Sequence, residues 1–129
     1  MSRQNTDIGR AGEFLAAYVL ETHGVEVHHV DRAGADLWCK VRGSITTVQV
    51  KASRGALRSN SRSTPYYTYR TQPSDADWYC FVALDRELLI MRSSGSIVAS
   101  TTRISPSEFN EANQRRTIEE MIDAGTGTS

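Results

Sequence analysis

Cysteine is scarce in this chain, and its placement excludes several kinds of chemistry. The 129 residues hold only Cys39 and Cys80. They lie far apart, each inside a strand-like stretch, which argues against a zinc knuckle, a CxxC redox pair or a disulfide framework. Both are expected as buried free thiols in a reducing compartment. Long apolar runs are missing too. Nothing approaches the ~18 residues that mark a membrane span, and the first residues lack the apolar core of a secretory signal. The expectation is a protein of the cytoplasm (a host's, if the chain is phage-encoded) with no membrane partner. Excess charge of either sign is also absent: fifteen Lys and Arg balance fifteen Asp and Glu. The chain is therefore not a uniformly basic nucleic-acid binder. His23, His28 and His29 lack metal-ligand spacing and are expected to be structural or surface residues. His28 and His29 point to opposite faces of a strand, so at most one faces a site. No internal repeat is present.

What the chain does have is charge segregated along its length. Lys51, Arg54, Arg58, Arg62 and Arg70 fall in a stretch without a single acid. Glu108, Glu111, Glu119, Glu120 and Asp123 make the C-terminal part acidic. Such asymmetry permits local binding of a polyanion without net positive charge. The length leaves room for one modest core, so residues 1–129 are expected to form one domain.

Two stretches read as a β-hairpin: Ala35 to Val41 and Ser44 to Ala52, rich in β-branched and aromatic residues, with Arg42-Gly43 between them. A two-residue turn pairs Val41 with Ser44 and Lys40 with Ile45, which places Asp36 opposite Gln49. Directly opposed residues share a face, and Lys51, two positions on, shares it too. Val48, Val50 and Ala52 take the other face. Phosphodiester cleavage needs charge neutralisation, an activated water and a stabilised leaving oxygen. Mg²⁺ prefers oxygen ligands and keeps waters, so a small protein donor set suffices. Asp36 would be the anionic ligand, the Gln49 side-chain carbonyl a neutral one and the Val50 backbone carbonyl a third. Lys51 would stand at the scissile phosphate. The plainer alternative is a solvated hairpin face with a weak cross-strand ion pair.

Two neighbouring features bear on the choice. A helix is expected from about Ile8 to Thr22, capped by Asp7 or Thr6, and Glu13 stands inside its apolar run. Such a carboxylate needs a partner or a metal, unless it sits on an exposed rim. Gly9 and Gly12 flank Glu13 and point to close approach of another backbone or a ligand. After Lys51, the polar loop with Arg54, Arg58 and Arg62 ends in Tyr66, Tyr67, Tyr69 and Arg70. Arginine grips phosphate in bidentate fashion and tyrosine stacks on bases or bonds phosphate, so these are the candidate nucleic-acid contacts. An ordinary solubilising loop is the alternative.

The remaining elements complete an outline. Val25 to Val30 alternates as a strand beside the hairpin. Asp77 to Leu84 reads as a central strand, turned by Asp85-Arg86 into a strand from Glu87 to Met91. Ser105-Pro106-Ser107-Glu108 has the spacing of a capping box, and a helix is expected over about 106–124, with Gly125 to Ser129 fraying.

The order Gly-x-x-Gly-Glu (Gly9 to Glu13), Gly-Ala-Asp-Leu (Gly34 to Leu37) and Val-Gln-Val-Lys-Ala-Ser (Val48 to Ser53) resembles the PD-(D/E)XK nuclease superfamily, over roughly residues 8–91. The short single-domain branches are most similar: archaeal-type Holliday-junction resolvases and intron-encoded homing endonucleases that carry Gln at the usual acid. The resemblance implies an α/β fold with a restriction-endonuclease-like core, a mixed β-sheet flanked by an N-terminal and a C-terminal helix. It implies Mg²⁺-dependent DNA cleavage, with Mn²⁺ as a substitute, on a duplex site or a four-way junction. It also implies a homodimer or homotetramer. Glu13 matches the helix carboxylate, Asp36 the metal-binding acid, Gln49 the E-or-Q position and Lys51 the catalytic lysine. Ala35 departs from the motif's Pro, and Gln49 removes a charge that would hold a second cation, which favours one metal. A nuclease-like module that binds DNA without cutting and a protein-interaction domain with a basic loop are the competing readings.

Overall fold

Burial alternates along residues 35–41, 45–50 and 67–70, while 79–83 are buried throughout, and this pattern sets the layers of the molecule. The computed structural model describes residues 3–32, 34–72 and 75–126. In chain order its elements are α1 (Arg3–Thr22), β1 (Glu26–Arg32), β2 (Ala35–Val41), β3 (Ser44–Ser53), β4 (Tyr67–Arg70), β5 (Trp78–Ala83), β6 (Leu88–Ser93), β7 (Thr101–Ile104) and α2 (Glu111–Thr126).

Helix α1 starts ahead of the expected Ile8, and Asp7 is an exposed residue inside it rather than its cap. Residues 3–6 contain no Pro or Gly to stop the helix, so a capping residue alone does not begin one. Its end is well defined. Gly24 has φ +85°, its N–H donates to the Glu21 carbonyl, and the Val25 N–H donates back to the Leu20 carbonyl. This closure satisfies carbonyls that the helix leaves open, and it needs the left-handed backbone that glycine adopts without strain.

The hairpin forms as its letters predict. Val41 pairs with Ser44, Lys40 with Ile45 and Leu37 with Val48. Arg42 and Gly43 both have positive φ, 50° and 86°, as a two-residue turn matched to strand twist requires. β1 pairs antiparallel with β2, β3 pairs parallel with β5, and β5 pairs antiparallel with β6. The result is a mixed five-stranded sheet in the order β1-β2-β3-β5-β6.

Both helices pack on one face of this sheet. Ala16, Val19 and Leu20 of α1, and Ile118 and Met121 of α2, share a core with Leu37, Cys39, Val48, Val50, Cys80, Val82, Leu89 and Met91. The two cysteines are buried free thiols, and burial pushes the Cys39 thiol up to about 12. α2 also covers the β6 edge: the Leu89 N–H donates to the Gln114 side-chain carbonyl at 3.0 Å and the Met91 N–H to the Thr117 hydroxyl at 3.1 Å. A strand edge is thereby closed to further pairing.

The opposite face is covered only in part. β4 and β7 form a two-stranded antiparallel ribbon. Its Tyr67, Tyr69 and Ile104 pack with Tyr79, Phe81, Ile90 and Phe109. Neither β7 nor this ribbon is evident from the letters. The C-terminal helix begins later than expected. The capping box at Ser105 is present, but it opens a 3-10 turn over Pro106–Glu108 that breaks at Phe109. Asn110 then starts α2, its side chain accepting from the Asn113 N–H at 2.8 Å. The buried Phe109 side chain belongs to the second core, which pulls the backbone out of helical geometry there. Gly125 lies in α2; residues 127–129, part of the expected frayed end, lie outside the described residues. Among the described residues no helix is long and apolar enough to cross a membrane.

Candidate active site

The hairpin brings three of the four expected catalytic side chains to one place. Continuing the β2–β3 register one step beyond Leu37 and Val48 puts Asp36 across from Gln49. At that step the carboxylate takes over from the ladder: Asp36 Oδ2 accepts the Val50 N–H at 2.8 Å. Val48 and Val50 are buried in the helix-side core, so Gln49 and Lys51 project from the other face. All three side chains are half-buried. Burial raises the Asp36 carboxyl above the usual carboxylate range, and it outweighs the opposing pull of the Val50 N–H and the Lys51 ammonium. A divalent ion beside the carboxylate would offset that desolvation.

The donor set fits Mg²⁺ or Mn²⁺ in kind: a carboxylate, an amide carbonyl and the neighbouring backbone carbonyl are hard oxygen ligands. Among the described residues no group of three His, Cys, Asp or Glu side chains converges. An ion here would depend on water and on the substrate's own phosphate to fill its shell.

Glu13 arrives from the other layer. α1 reaches β3 most closely at Gly12, where an added Cβ would lie 2.5 Å from the Ala52 Cβ and 3.6 Å from Val50 Cγ1. Gly12 is thus the glycine that permits close backbone approach, as the sequence implied. Gly9 has open space around it instead. Glu13, next to that contact, is half-buried and lies 4.0 Å from His29 Nδ1, whose ring packs on Phe14 at 5.3 Å. His29 is a neighbour of Glu13 that the sequence alone did not pair with it. Its only signal was the alternation that turns it to the α1 side of β1.

A groove of about 660 Å³ runs past the end of β3. Ile8 and Gly9 form one wall, and Lys51, Arg54 and Gly55 are among the residues of the other. From there the expected polar loop extends as a structured excursion. Leu57 and Tyr66 bridge their backbones at 2.9 and 3.0 Å, and Asn60 Oδ1 accepts the Arg62 N–H at 2.9 Å. Arg54, Arg58, Arg62, Tyr66 and Arg70 are exposed, as contacts with substrate require.

Tyr67 and Tyr69 are not available for that role. They are 1% and 3% exposed. The Tyr67 hydroxyl donates to both carboxylate oxygens of Asp85, at 2.7 and 2.9 Å, and the Tyr69 hydroxyl to the Val82 carbonyl at 3.0 Å. Alternation along β4 divides the aromatic stretch: Tyr67 and Tyr69 face the core, while Tyr66, Thr68 and Arg70 face out. In their place the ribbon offers Arg103, exposed on β7 directly across from Thr68. Arg103 belongs to a short unremarked segment, so nothing in the sequence joined it to the arginines of the loop. Tyr69→Phe is expected to lower stability by about 1 kcal/mol, since the Val82 carbonyl loses its buried donor. Thermal melting of the two chains measures the difference.

Comparison with known proteins bears on this geometry. A scan against protein-family models finds no match, and neither does a search of curated proteins. Among solved structures, the bacterial homing endonuclease I-Ssp6803I superposes with a TM-score of 0.72, covering 93% of this chain and 92% of its own, at 17% sequence identity. The chain has the fold of that endonuclease. Agreement over nearly the whole of both chains takes in the mixed sheet and both flanking helices, so the restriction-endonuclease-like core expected from the sequence is present. At so low an identity the likeness is one of backbone path and assigns no side chain a role.

Proposed function

We propose that this chain is a metal-dependent DNA endonuclease of the PD-(D/E)XK type, acting on a duplex site in the manner of homing endonucleases. One observation carries the reading: the Asp36 carboxylate, desolvated and pinned by the Val50 N–H, stands beside the Lys51 ammonium, which lines a groove together with Arg54. The shared fold supports it, and so does the neighbour's description as a homing endonuclease. Asp36, Gln49 and the Val50 carbonyl would hold Mg²⁺ or Mn²⁺, with Glu13 assisting from α1. The ion would supply Lewis-acid charge neutralisation and a more acidic water. The chain's own residues do the rest. Lys51 stabilises charge that develops on the phosphate oxygens. The Val50 N–H keeps Asp36 in one orientation. Arg54, Arg58, Arg62, Arg70 and Arg103 hold the flanking backbone, and Tyr66 offers an exposed ring. A second copy is proposed as well, because cutting both strands of a duplex calls for two sites. The whole chain, 1–129, would act as one domain in the cytoplasm.

The test is a plasmid-nicking assay in Mg²⁺ or Mn²⁺, comparing the native chain with Asp36→Ala and Lys51→Ala. Loss of cutting in both variants is expected, and unimpaired cutting by either would refute the assigned site. A Holliday junction offered beside the plasmid decides between the two substrate classes. A second reading rests on Gln49, which leaves the site with one acid on the hairpin: a nuclease-like module that binds DNA without cutting. In that case the native chain nicks nothing while salt-sensitive binding persists.

The arginines give a separate expected result. Each of Arg58→Ala, Arg62→Ala and Arg103→Ala should flatten the slope of log affinity against log salt by about 0.7–0.9, one phosphate contact apiece, in binding titrations from low to moderate salt. An unchanged slope would remove that arginine from the interface.

A further inference from the structure

Helix α1 is apolar on both sides, and the side away from the sheet is left largely to solvent, with His29 touching Phe14 at its edge. Ala16, Leu20 and Gly12 face the sheet, while Phe14 and Tyr18 are 57% and 67% exposed. At 100° per residue, Asp7, Arg10, Ala11, Phe14, Tyr18, Glu21 and Thr22 lie within about 60° of a single line down the solvent side of the helix. All seven are exposed. One exposed aromatic needs no explanation, but two stacked a turn apart and bracketed by opposite charges form a pattern.

We infer that this stripe is a self-complementary docking surface for a second copy of the chain, with the two α1 helices packed antiparallel about a two-fold axis. The positions themselves select the partner. A two-fold relation between antiparallel helices pairs residues whose numbers share one midpoint. Phe14 against Tyr18 of the partner subunit, and its converse, has its midpoint at residue 16. Arg10 against Glu21 of the partner subunit has its midpoint at 15.5, which is the same place along the helix to within a fraction of a turn.

Edge matching gives a second, independent agreement. A two-fold axis of this kind keeps each edge of the contact on its own side, so an ion pair across it requires both members on the same edge of the stripe. Arg10 and Glu21 are both displaced to the same edge, by about 60° and 40° at the helical repeat. Four aromatic rings would fill the centre and two Arg–Glu pairs would close the ends, an apolar core with a polar rim. On that edge lies β1, the end strand of the sheet, whose His29 packs on Phe14 and widens the surface. The groove takes Ile8 and Gly9 from other sides of the helix, so docking leaves it open.

The inference rests on the helix surface and not on the nuclease reading, though it would supply that reading's second site. Its test is sedimentation equilibrium of the full chain without DNA, so a failure to cut has no bearing on it. The native chain should dimerise. Arg10→Glu and Glu21→Arg should each weaken the dimer at least about tenfold, by setting like charges against each other at two symmetric places. The double exchange, Arg10→Glu with Glu21→Arg, should restore affinity to within about threefold, because the pairs re-form with signs reversed. Phe14→Ser should also weaken the dimer, with melting temperature and circular dichroism showing an intact fold. A chain that stays monomeric, single exchanges without effect, or a double exchange no better than the singles would each overturn the proposal.

Discussion

Asp36→Asn is expected to abolish DNA cutting, by about a thousandfold or more, and to leave the protein at least as stable as before. The two outcomes have one cause. Asn keeps an oxygen to accept the Val50 N–H, so the local fold survives. It removes the charge that burial disfavours. The sign follows from linkage. Burial raises the folded carboxyl above its ordinary value of 3.8. Its contribution to stability is therefore fully present below that value and is lost as pH rises through the folded value. At neutral pH the ionised group is a burden, which Asn relieves. Without divalent metal, Asp36→Asn should melt at the same temperature as the native chain or about one to a few degrees higher, and the difference should vanish in acid. Melts in chelator at pH 7 and below 4, alongside the nicking assay, check both parts. A variant that loses activity only because it melts much earlier would make Asp36 a structural residue.

Gly12→Val is expected to be among the most damaging single changes outside the large core residues. Helices ordinarily gain from losing a glycine, by about 1 kcal/mol for Ala. Here a Cβ would lie 2.5 Å from the Ala52 Cβ, far inside contact distance. α1 must then retreat from β3, loosening Ala16 and Leu20 against Val48 and Val50. Overpacking of this kind costs about 3 kcal/mol, or roughly 10 °C for a chain of this size. Gly9→Ala is the internal control. Open space surrounds Gly9, so the same helix should tolerate or gain from that methyl group. Differential scanning calorimetry separates the two variants, and equal melting temperatures would show that the α1–β3 approach is not tight.

Much of the site was legible because its parts are local. The Arg42-Gly43 turn sets the register of one hairpin, and register alone decides that Asp36, Gln49 and Lys51 share a face. The tyrosine stretch shows where such reasoning stops. Strand alternation separates Tyr66 from Tyr67, but no letter says which of them meets a second layer. That depended on β7, some thirty residues on, pairing with β4 and pressing Tyr67 and Tyr69 onto Phe81. Arg103 was hidden for the same reason, and so was the break at Phe109 that delays α2.

Short-range chemistry in the chain was enough to determine the hairpin, its polar triad and the capping box, since each depends on residues a few positions apart and on fixed backbone periods; which of Gly9 and Gly12 meets a strand was settled only by α1 packing against Ala52. Which faces are covered was decided only by the packed molecule. Layering is a contest among distant segments for the same apolar surface, and its outcome turned two tyrosines inward, brought an unnoticed arginine to the rim and left two aromatics of α1 facing water.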